Sequence, residues 1–435
     1  MHVPQKVRRM LAYTVLATVP NLSMAWADGL SLSEAEVLAI KHNPALAAAT
    51  KNAAAMAAIP SQAGSLPDPT LSFNAMNLPV DSFSTTQEAM TQLQLGFSQA
   101  IPFPGKLGLK SEAAEHMAAA ALQNQQEFKL VLLRNTRIHW WNLAYLDKAL
   151  SIVRQNQSLL RNLVRIAETK YKTGKGLQQD VLLAQLELSK LLEQELKLQA
   201  AQNSESATLN ALLGRAAATP IALAGKAKTN ISVQRPDTAA LKVWAREHRP
   251  MLLAMNDQVL AADSMVALAQ KDYYPDFKLG AVYGFRSGTT NRQPRPDMAS
   301  LMLSMSLPLY TGSKQDKAVD QRMAEKAKAE FSWQDAANQV DAEIDAAASD
   351  LRIARKQLTL FEQGILPQAR QTTASMLAGY QVNKVDFLNL VRAQLNEFNT
   401  DIQYWQQVSM ARQAEARLAA AAGKEDLNKG DNNYE

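Results

Sequence analysis

From Leu109 to Thr173 the chain runs for 65 residues without a glycine or a proline. The stretch is rich in Ala, Leu, Gln, Glu and Lys, and at about 1.5 Å per residue it predicts a helical rod of roughly 98 Å. An ordinary globular helix spans three or four turns, so a rod of that length needs a partner lying along it. The turn Thr173-Gly174-Lys175-Gly176 supplies the reversal. Beyond it Leu177, Val181, Ala184, Leu188 and Leu191 recur at alternating spacings of four and three, the apolar seam of a helix packed lengthwise. Lys106 to Leu213 therefore reads as an antiparallel coiled-coil hairpin.

The pattern occurs twice. His42-Asn43-Pro44-Ala45-Leu46 has its echo in His248-Arg249-Pro250-Met251-Leu252, Pro67-Asp68 in Pro275-Asp276, and Pro102-Phe103-Pro104-Gly105 in Pro308-Leu309-Tyr310-Thr311-Gly312. Tyr171-Lys172-Thr173-Gly174-Lys175 corresponds to Tyr380-Gln381-Val382-Asn383-Lys384. A second long helix is predicted from Ser313 to Gln363, interrupted at Gly364 to Pro367 and resumed to Tyr380. Its returning partner carries Leu388, Val391, Leu395, Phe398, Ile402 and Trp405 at spacings of three and four. A duplicated chain of one elongated unit follows. Its first repeat covers 28–215, with a strand pair at 70–99 and a hairpin at 105–213. A segment at 216–236 joins it to the second repeat at 237–422, with a strand pair at 276–307 and a hairpin at 312–422. Residues 423–435 form a polar tail expected to be disordered. Each repeat opens on a helix; in the first it is predicted from Ser31 to Ile59, with Ser33 as N-cap.

Residues 1–27 have the parts of a secretory signal: Lys6, Arg8 and Arg9, an apolar run from Leu11 to Leu22, then Ala25-Trp26-Ala27, with cleavage expected after Ala27. The run is too short for a membrane span, which requires about 20 residues, and no later stretch reads as a membrane-crossing helix. Without the signal, 43 basic face 41 acidic residues, so charge gives no argument for binding nucleic acid. There is no cysteine, which excludes disulfides, thiolate metal sites, a cysteine nucleophile and a lipid anchor on an N-terminal cysteine.

Each repeat contributes two short strands with one apolar and one polar face. Leu71, Phe73, Leu93, Leu95, Phe97, Leu279, Tyr283, Phe285, Leu301 and Leu303 fall on one side. Ser72, Asn74, Gln92, Gln94, Lys278, Ser304 and Ser306 fall on the other. Four strands cannot close a barrel, and open edges do not survive in lipid, where their N–H and C=O groups lack partners. Two readings stay open: a small soluble sheet with one wet face, or strands pooled by several chains into one barrel with the apolar side toward outer-membrane lipid.

The order helix, strand pair, long helix, Tyr-x-x-Gly turn and returning helix with Asp180 and Ala184-Gln185, repeated once, resembles the TolC-like outer membrane efflux protein family over roughly residues 30 to 422. The resemblance implies a mainly α fold with a small β part. Three chains would build a twelve-stranded outer-membrane barrel and a periplasmic α-helical tunnel that docks on a periplasmic adaptor (membrane fusion) protein and an inner-membrane RND-type pump. Met76-Asn77-Leu78-Pro79-Val80-Asp81-Ser82-Phe83, Glu88-Ala89-Met90-Thr91-Gln92 and Pro102-Phe103-Pro104-Gly105-Lys106 resemble the branch that accompanies heavy-metal exporters.

On that resemblance the far tips of the hairpins, Gly174, Lys175, Gly176, Asn383 and Lys384, are the expected adaptor-docking surfaces, although a glycine there also serves simply to stop a helix. Asp180 stands where the family places a carboxylate of the network that holds the aperture shut. It is equally suited to favouring its own helix dipole. At the family's narrowest ring this chain has Asn389, followed by Arg392 and with Asp386 nearby, which weakens the case for an acidic, cation-selective constriction. Tyr171 and Tyr380 match the family's turn tyrosine and are candidates for hydrogen bonds between hairpins, or for ordinary packing.

A conduit needs no cofactor, and no phosphate loop, nucleophile elbow or zinc-protease motif argues for an enzyme. His42 and His248 occupy equivalent helix-break positions, and His116 and His139 stand alone, so no metal-ligand set is expected. Met76, Met90, Met302 and Met305 lie near the strands, where apolar filling competes with soft-cation contact. The competing architecture is a periplasmic coiled-coil adaptor or structural protein without a pore.

Overall fold

A computed structural model describes residues 29–224, 236–291 and 293–427; the expected signal segment, most of the inter-repeat join and the end of the tail lie outside the described residues. The chain opens with α1 (Leu32–His42), α2 (Pro44–Ala57) and α3 (Ile59–Ala63). Ser31, rather than Ser33, is the N-cap of α1. Its hydroxyl accepts the Glu34 N–H at 3.3 Å while the Glu34 carboxylate accepts the Ser31 N–H at 2.8 Å, a complete capping box. The expected single helix to Ile59 is cut at Asn43 because a residue before proline is pushed out of the helical region. Asn43 ends α1 at φ −69°, ψ 118° and then caps α2 through Leu46 N–H at 3.0 Å.

Strands β1 (Thr70–Met76) and β2 (Gln92–Ile101) lead into α4 (Lys106–Lys172), a helix of 67 residues, and α5 (Gln178–Leu212) returns along it. The second repeat follows the same order: α6 (Thr238–His248), α7 (Pro250–Lys271), β3 (Phe277–Phe285), β4 (Met298–Met305), α8 (Gln315–Leu360), α9 (Leu366–Gln381) and α10 (Phe387–Ala421). The interruption expected at Gly364 to Pro367 is no break. Phe361–Ile365 forms one π-helical turn between α8 and α9, with Leu366 N–H reaching back to Phe361 C=O. Pro367 removes a donor from the ladder, and a slip of one residue lets the rod continue.

The two hairpins share a core instead of standing apart. Val153, Leu160 and Leu163 of α4, Ala184 and Leu191 of α5, and Leu390, Val391, Phe398 and Ile402 of α10 are buried together. Val181 and Leu188 pack against this cluster, so the predicted seam holds from Val181 onward, whereas Leu177 is exposed. A second cluster at mid-height joins Leu30, Trp140, Trp141, Leu209, Leu213 and Val408. There Trp140 donates its indole N–H to Leu30 C=O at 3.2 Å, and Leu30 bridges Leu223.

Duplication appears in three dimensions as a repeated joint. Asn43 donates its amide to Leu212 C=O at the end of α5 (2.9 Å), and Arg249, its counterpart, donates to Ala421 C=O at the end of α10 (3.2 Å). Each returning helix then ends on a positive-φ glycine, Gly214 at 67° and Gly423 at 75°. A Cβ on Gly214 would lie 2.2 Å from His42 O, and one on Gly423 would lie 2.9 Å from Arg249 Cα, so only glycine lets the chain end press onto the helix break.

The four strands form one antiparallel sheet in the order β1-β2-β3-β4. Leu71, Phe97, Ala281 and Leu301 stand in one row of the register, and Phe73, Leu95, Tyr283 and Ala299 in the next, so the apolar residues share one face. That face is open: Leu71 is 71% exposed, Phe73 70%, Leu301 89% and Leu303 66%. Single exposed leucines are ordinary, but a continuous sheet face of them marks a surface for lipid or another apolar partner. Of the methionines near the strands, Met76 and Met302 register with the polar face and Met305 with the apolar one. Among the described residues α7 alone is long and apolar enough to cross a membrane, contrary to the sequence expectation of none. It lies along α4 and α8 instead, with Lys326 on Asp263 at 2.6 Å.

Where the sheet meets the long helices, one buried cation ties the repeats together. Lys106 at the start of α4 contacts Asp272 and Asp276 of the second repeat, each at 3.0 Å, and Asp276 also accepts Phe103 N–H at 2.7 Å. Phe103 stacks on Tyr274 alongside, with ring centroids 4.5 Å apart. Burial would lower the Lys106 ammonium, but the two aspartates hold it above its ordinary value; burial would raise Asp276, but the Phe103 N–H and Lys106 hold it below. The contribution of Asp276 is present at neutral pH and is lost as pH falls through its depressed pKa, and that of Lys106 is lost only as pH rises through its raised one. Asp276→Asn is therefore expected to lower the thermal midpoint at pH 7 and to lose less than the parent between pH 7 and pH 3. Parallel acid profiles of the two proteins would show that this junction does not titrate with folding.

Candidate aperture at the hairpin tips

The two tips are built alike. At the first, α4 ends with Thr173 as C-cap; Lys175 N–H reaches Lys170 C=O at 2.8 Å and Gly174 N–H reaches Tyr171 C=O at 3.0 Å. At the second, Lys384 N–H reaches Gly379 C=O at 2.9 Å and Asn383 N–H reaches Tyr380 C=O at 3.2 Å. Both are Schellman closures, which require a left-handed residue after the cap. Gly174 takes it at φ 69° and Asn383 at φ 60°, asparagine being among the side chains that tolerate this region.

The asparagine does more than close the turn. Lys170 of the first hairpin donates its ammonium to Asn383 Oδ1 at 3.1 Å and lies 3.9 Å from the centroid of the Tyr380 ring. Tyr380 is buried against Phe387, with centroids 5.6 Å apart. Burial first, and then the negative charge of Asp180, push the Tyr380 phenol above its usual range. Lys170, Tyr380 and Asn383 thus form one cluster that crosses between hairpins, and Asp180 acts on it through its charge.

Of the residues singled out from the sequence, the structure brings together Tyr380 and Asn383 around Lys170, with the charge of Asp180 acting on Tyr380. Tyr171 is 48% exposed and stands apart. Tyr380 takes part through its ring face, and no hydrogen bond from either phenol across the hairpins is found among the described residues. Asp386 is the N-cap of α10 but makes no side-chain cap bond. Asp386, Asn389 and Arg392 are exposed. Lys175, Lys384 and Gly174 are exposed at the tips, whereas Gly176 is packed: a Cβ there would fall 2.9 Å from Lys170 Cβ. Lys170 is the residue that sequence reading missed, because its partners lie more than 200 positions away. Its position one residue before the turn tyrosine was the available signal.

No group of three or more His, Cys, Asp or Glu side chains able to hold a metal ion occurs among the described residues. His139 is engaged by Glu205 at 2.7 Å, His116 lies 4.0 Å from Asp257, and His248 stacks on Trp244.

The family model described as "Outer membrane efflux protein" matches residues 37–215 and 243–424. The curated cobalt-zinc-cadmium resistance protein CzcC of Cupriavidus metallidurans is 22% identical over 415 residues, covering 94% of each chain. Among solved structures, the outer membrane protein VceC of Vibrio cholerae superposes with a TM-score of 0.76 at 21% identity, over 90% of this chain and 96% of that one. The structure of CusC, reported for its transmembrane channel formation, superposes with a TM-score of 0.77 at 17% identity, over 90% and 92%.

Proposed function

The chain belongs to the outer membrane efflux protein family, and from that premise we propose that three copies close their sheets into one outer-membrane barrel above a periplasmic helical tunnel. The protein is an outer-membrane efflux channel. One observation carries the closed-ring reading: a four-stranded sheet whose apolar face is uncovered and whose two edges are unpaired sits at the head of helical rods, the first of them about 100 Å long. A soluble sheet would cover that face, and lipid requires the edges to be paired. An adaptor without a pore has no use for either feature.

The finer assignments follow the same logic. The lysine-bearing tips meet a periplasmic adaptor of an RND-type pump, and the Lys170, Tyr380 and Asn383 cluster, with the charge of Asp180, holds the aperture closed at rest. The cargo is heavy-metal cations, a reading supported by the name and the full-length match of the curated relative. With Asn389 and Arg392 exposed on α10, selection of the cation falls to the pump, and the duct acts as a passage without a resident metal or cofactor. The signal segment at 1–27 is removed on export.

The test is deletion in a metal-tolerant host. Loss of cobalt, zinc or cadmium tolerance is expected, with recovery when the chain is restored and a trimer by light scattering of the detergent-extracted outer-membrane fraction. Unchanged metal tolerance with a trimer present would remove the cargo assignment, and a soluble periplasmic monomer would replace the duct by the adaptor reading. The double variant Lys175→Glu, Lys384→Glu is expected to assemble normally and yet lose most of the tolerance; full tolerance would take the tips out of docking.

A further inference from the structure

Both edges of the sheet, β1 and β4, are open, and the duplication specifies what closes them. The β1–β2 and β3–β4 pairs are one hairpin used twice: Thr70 opposite Ser98 becomes Lys278 opposite Ser304, and Leu71 opposite Phe97 becomes Leu279 opposite Leu303. Pro67-Asp68 before β1 aligned with Pro275-Asp276 before β3 sets an offset of 208, Pro102 after β2 aligned with Pro308 after β4 sets one of 206, and the two pairings agree with these offsets. The pairing of β2 with β3 is then the joint between a first repeat and a second one. In a closed ring every second repeat must meet a first repeat again, this time of the neighbouring copy, and equivalent surfaces favour the same joint.

Resting on the ring reading above, we infer that β4 pairs antiparallel with β1 of the neighbouring copy in one specific register: Met305 opposite Leu71, Ser304 opposite Ser72, Leu303 opposite Phe73 and Met302 opposite Asn74. These pairs are the images, under the two offsets, of Gln99 with Leu279, Ser98 with Gly280, Phe97 with Ala281 and Gly96 with Val282. The offsets carry no information about side-chain chemistry, yet the register keeps Leu71, Phe73, Leu303 and Met305 on the apolar face and sets serine against serine on the polar one. A slip of one residue would turn Phe73 into the lumen.

The helices point to the same joint. α7 packs on both α4 and α8, whereas its counterpart α2 packs on α4 and α3 and leaves Ala45, Ala48, Lys51 and Ala55 exposed. By the same operation α8 of the neighbouring copy lies along that open face.

The natural chain has no cysteine, so paired cysteines report the seam cleanly. In Ser72→Cys, Ser304→Cys the two Cα atoms are directly opposite across the seam, within the roughly 4.4–6.8 Å a disulfide needs. In Ser72→Cys, Ser300→Cys they are displaced along the strand by about 13 Å. Mild oxidation of outer membranes is expected to give covalent dimers and trimers on a denaturing gel, at least about tenfold more from the matched pair than from the displaced one. Equal cross-linking of both pairs, or none from the matched pair in a protein that light scattering shows to be trimeric, overturns the register and leaves the duct reading standing. A monomer by light scattering overturns the ring and the register together.

Discussion

Replacing Lys170 by methionine is expected to raise the resting conductance of the channel in a planar bilayer, by a larger factor than any single substitution elsewhere on the tips. The change keeps the aliphatic stem and removes the ammonium that lies 3.9 Å from the Tyr380 ring and 3.1 Å from Asn383 Oδ1. A cation over a buried aromatic face contributes about 1–2 kcal/mol, and its hydrogen bond about 1 kcal/mol. A ring of three copies multiplies the loss to roughly 6–9 kcal/mol, and about 5.5 kcal/mol is enough to carry a two-state aperture from 1:99 to 99:1. Asp180→Ala is expected to act in the same direction more weakly, because Asp180 acts on the cluster only through its charge, at Tyr380. Tyr171→Phe, on an exposed ring, is the control expected to leave the current unchanged. A Lys170→Met channel as tight as the parent would show that the cluster is packing at the tip and that the closure lies elsewhere, the α10 residues Asn389 and Arg392 being the next to examine.

What the sequence disclosed depends on how local each determinant is. The long rods, the strand pairs and the duplication are written in periodicity and in the places where glycine and proline are absent, and they are legible residue by residue. The choice of Ser31 as the cap was not legible, since Ser31 with Glu34 and Ser33 with Glu36 both carry the capping-box spacing and only the fold selects the first. Nor was the π turn at Phe361–Ile365, because Gly364 and Pro367 signal an interruption without saying whether the chain turns away or the ladder slips by one residue. Lys170 escaped notice for a different reason. A lysine before a turn looks like a solvated helix end, and only the neighbouring hairpin, 213 residues on at Asn383, gives it a partner. The cluster at the tips is built from contacts between repeats, which a one-dimensional pattern does not encode.

The same argument applies to Arg249, whose loss is expected to produce the largest change in stability. It takes the place of Asn43 in the repeated joint, yet its longer side chain reaches further: to Glu343 Oε2 at 2.8 Å, Glu127 Oε1 at 3.3 Å and Ala421 C=O at 3.2 Å. One side chain, 7% exposed, thereby ties α7 to α4, α8 and the end of α10. Arg249→Ala leaves the Glu127 carboxylate, 15% exposed, facing the core without its cation, and leaves Ala421 C=O without its donor. Removing one partner of a buried ion pair costs about 3–5 kcal/mol; Glu343 is 54% exposed and can return to water, which places the expected loss near 3 kcal/mol, at the lower end of that range. Arg249→Asn copies the first repeat: it is expected to recover the carbonyl contact but not the ion pairs, and so to fall between the parent and the alanine variant. Chemical denaturation of the detergent-extracted protein checks the order. An asparagine variant as stable as the parent would mean that the joint needs only a cap, and that the two glutamates contribute nothing to holding the repeats together.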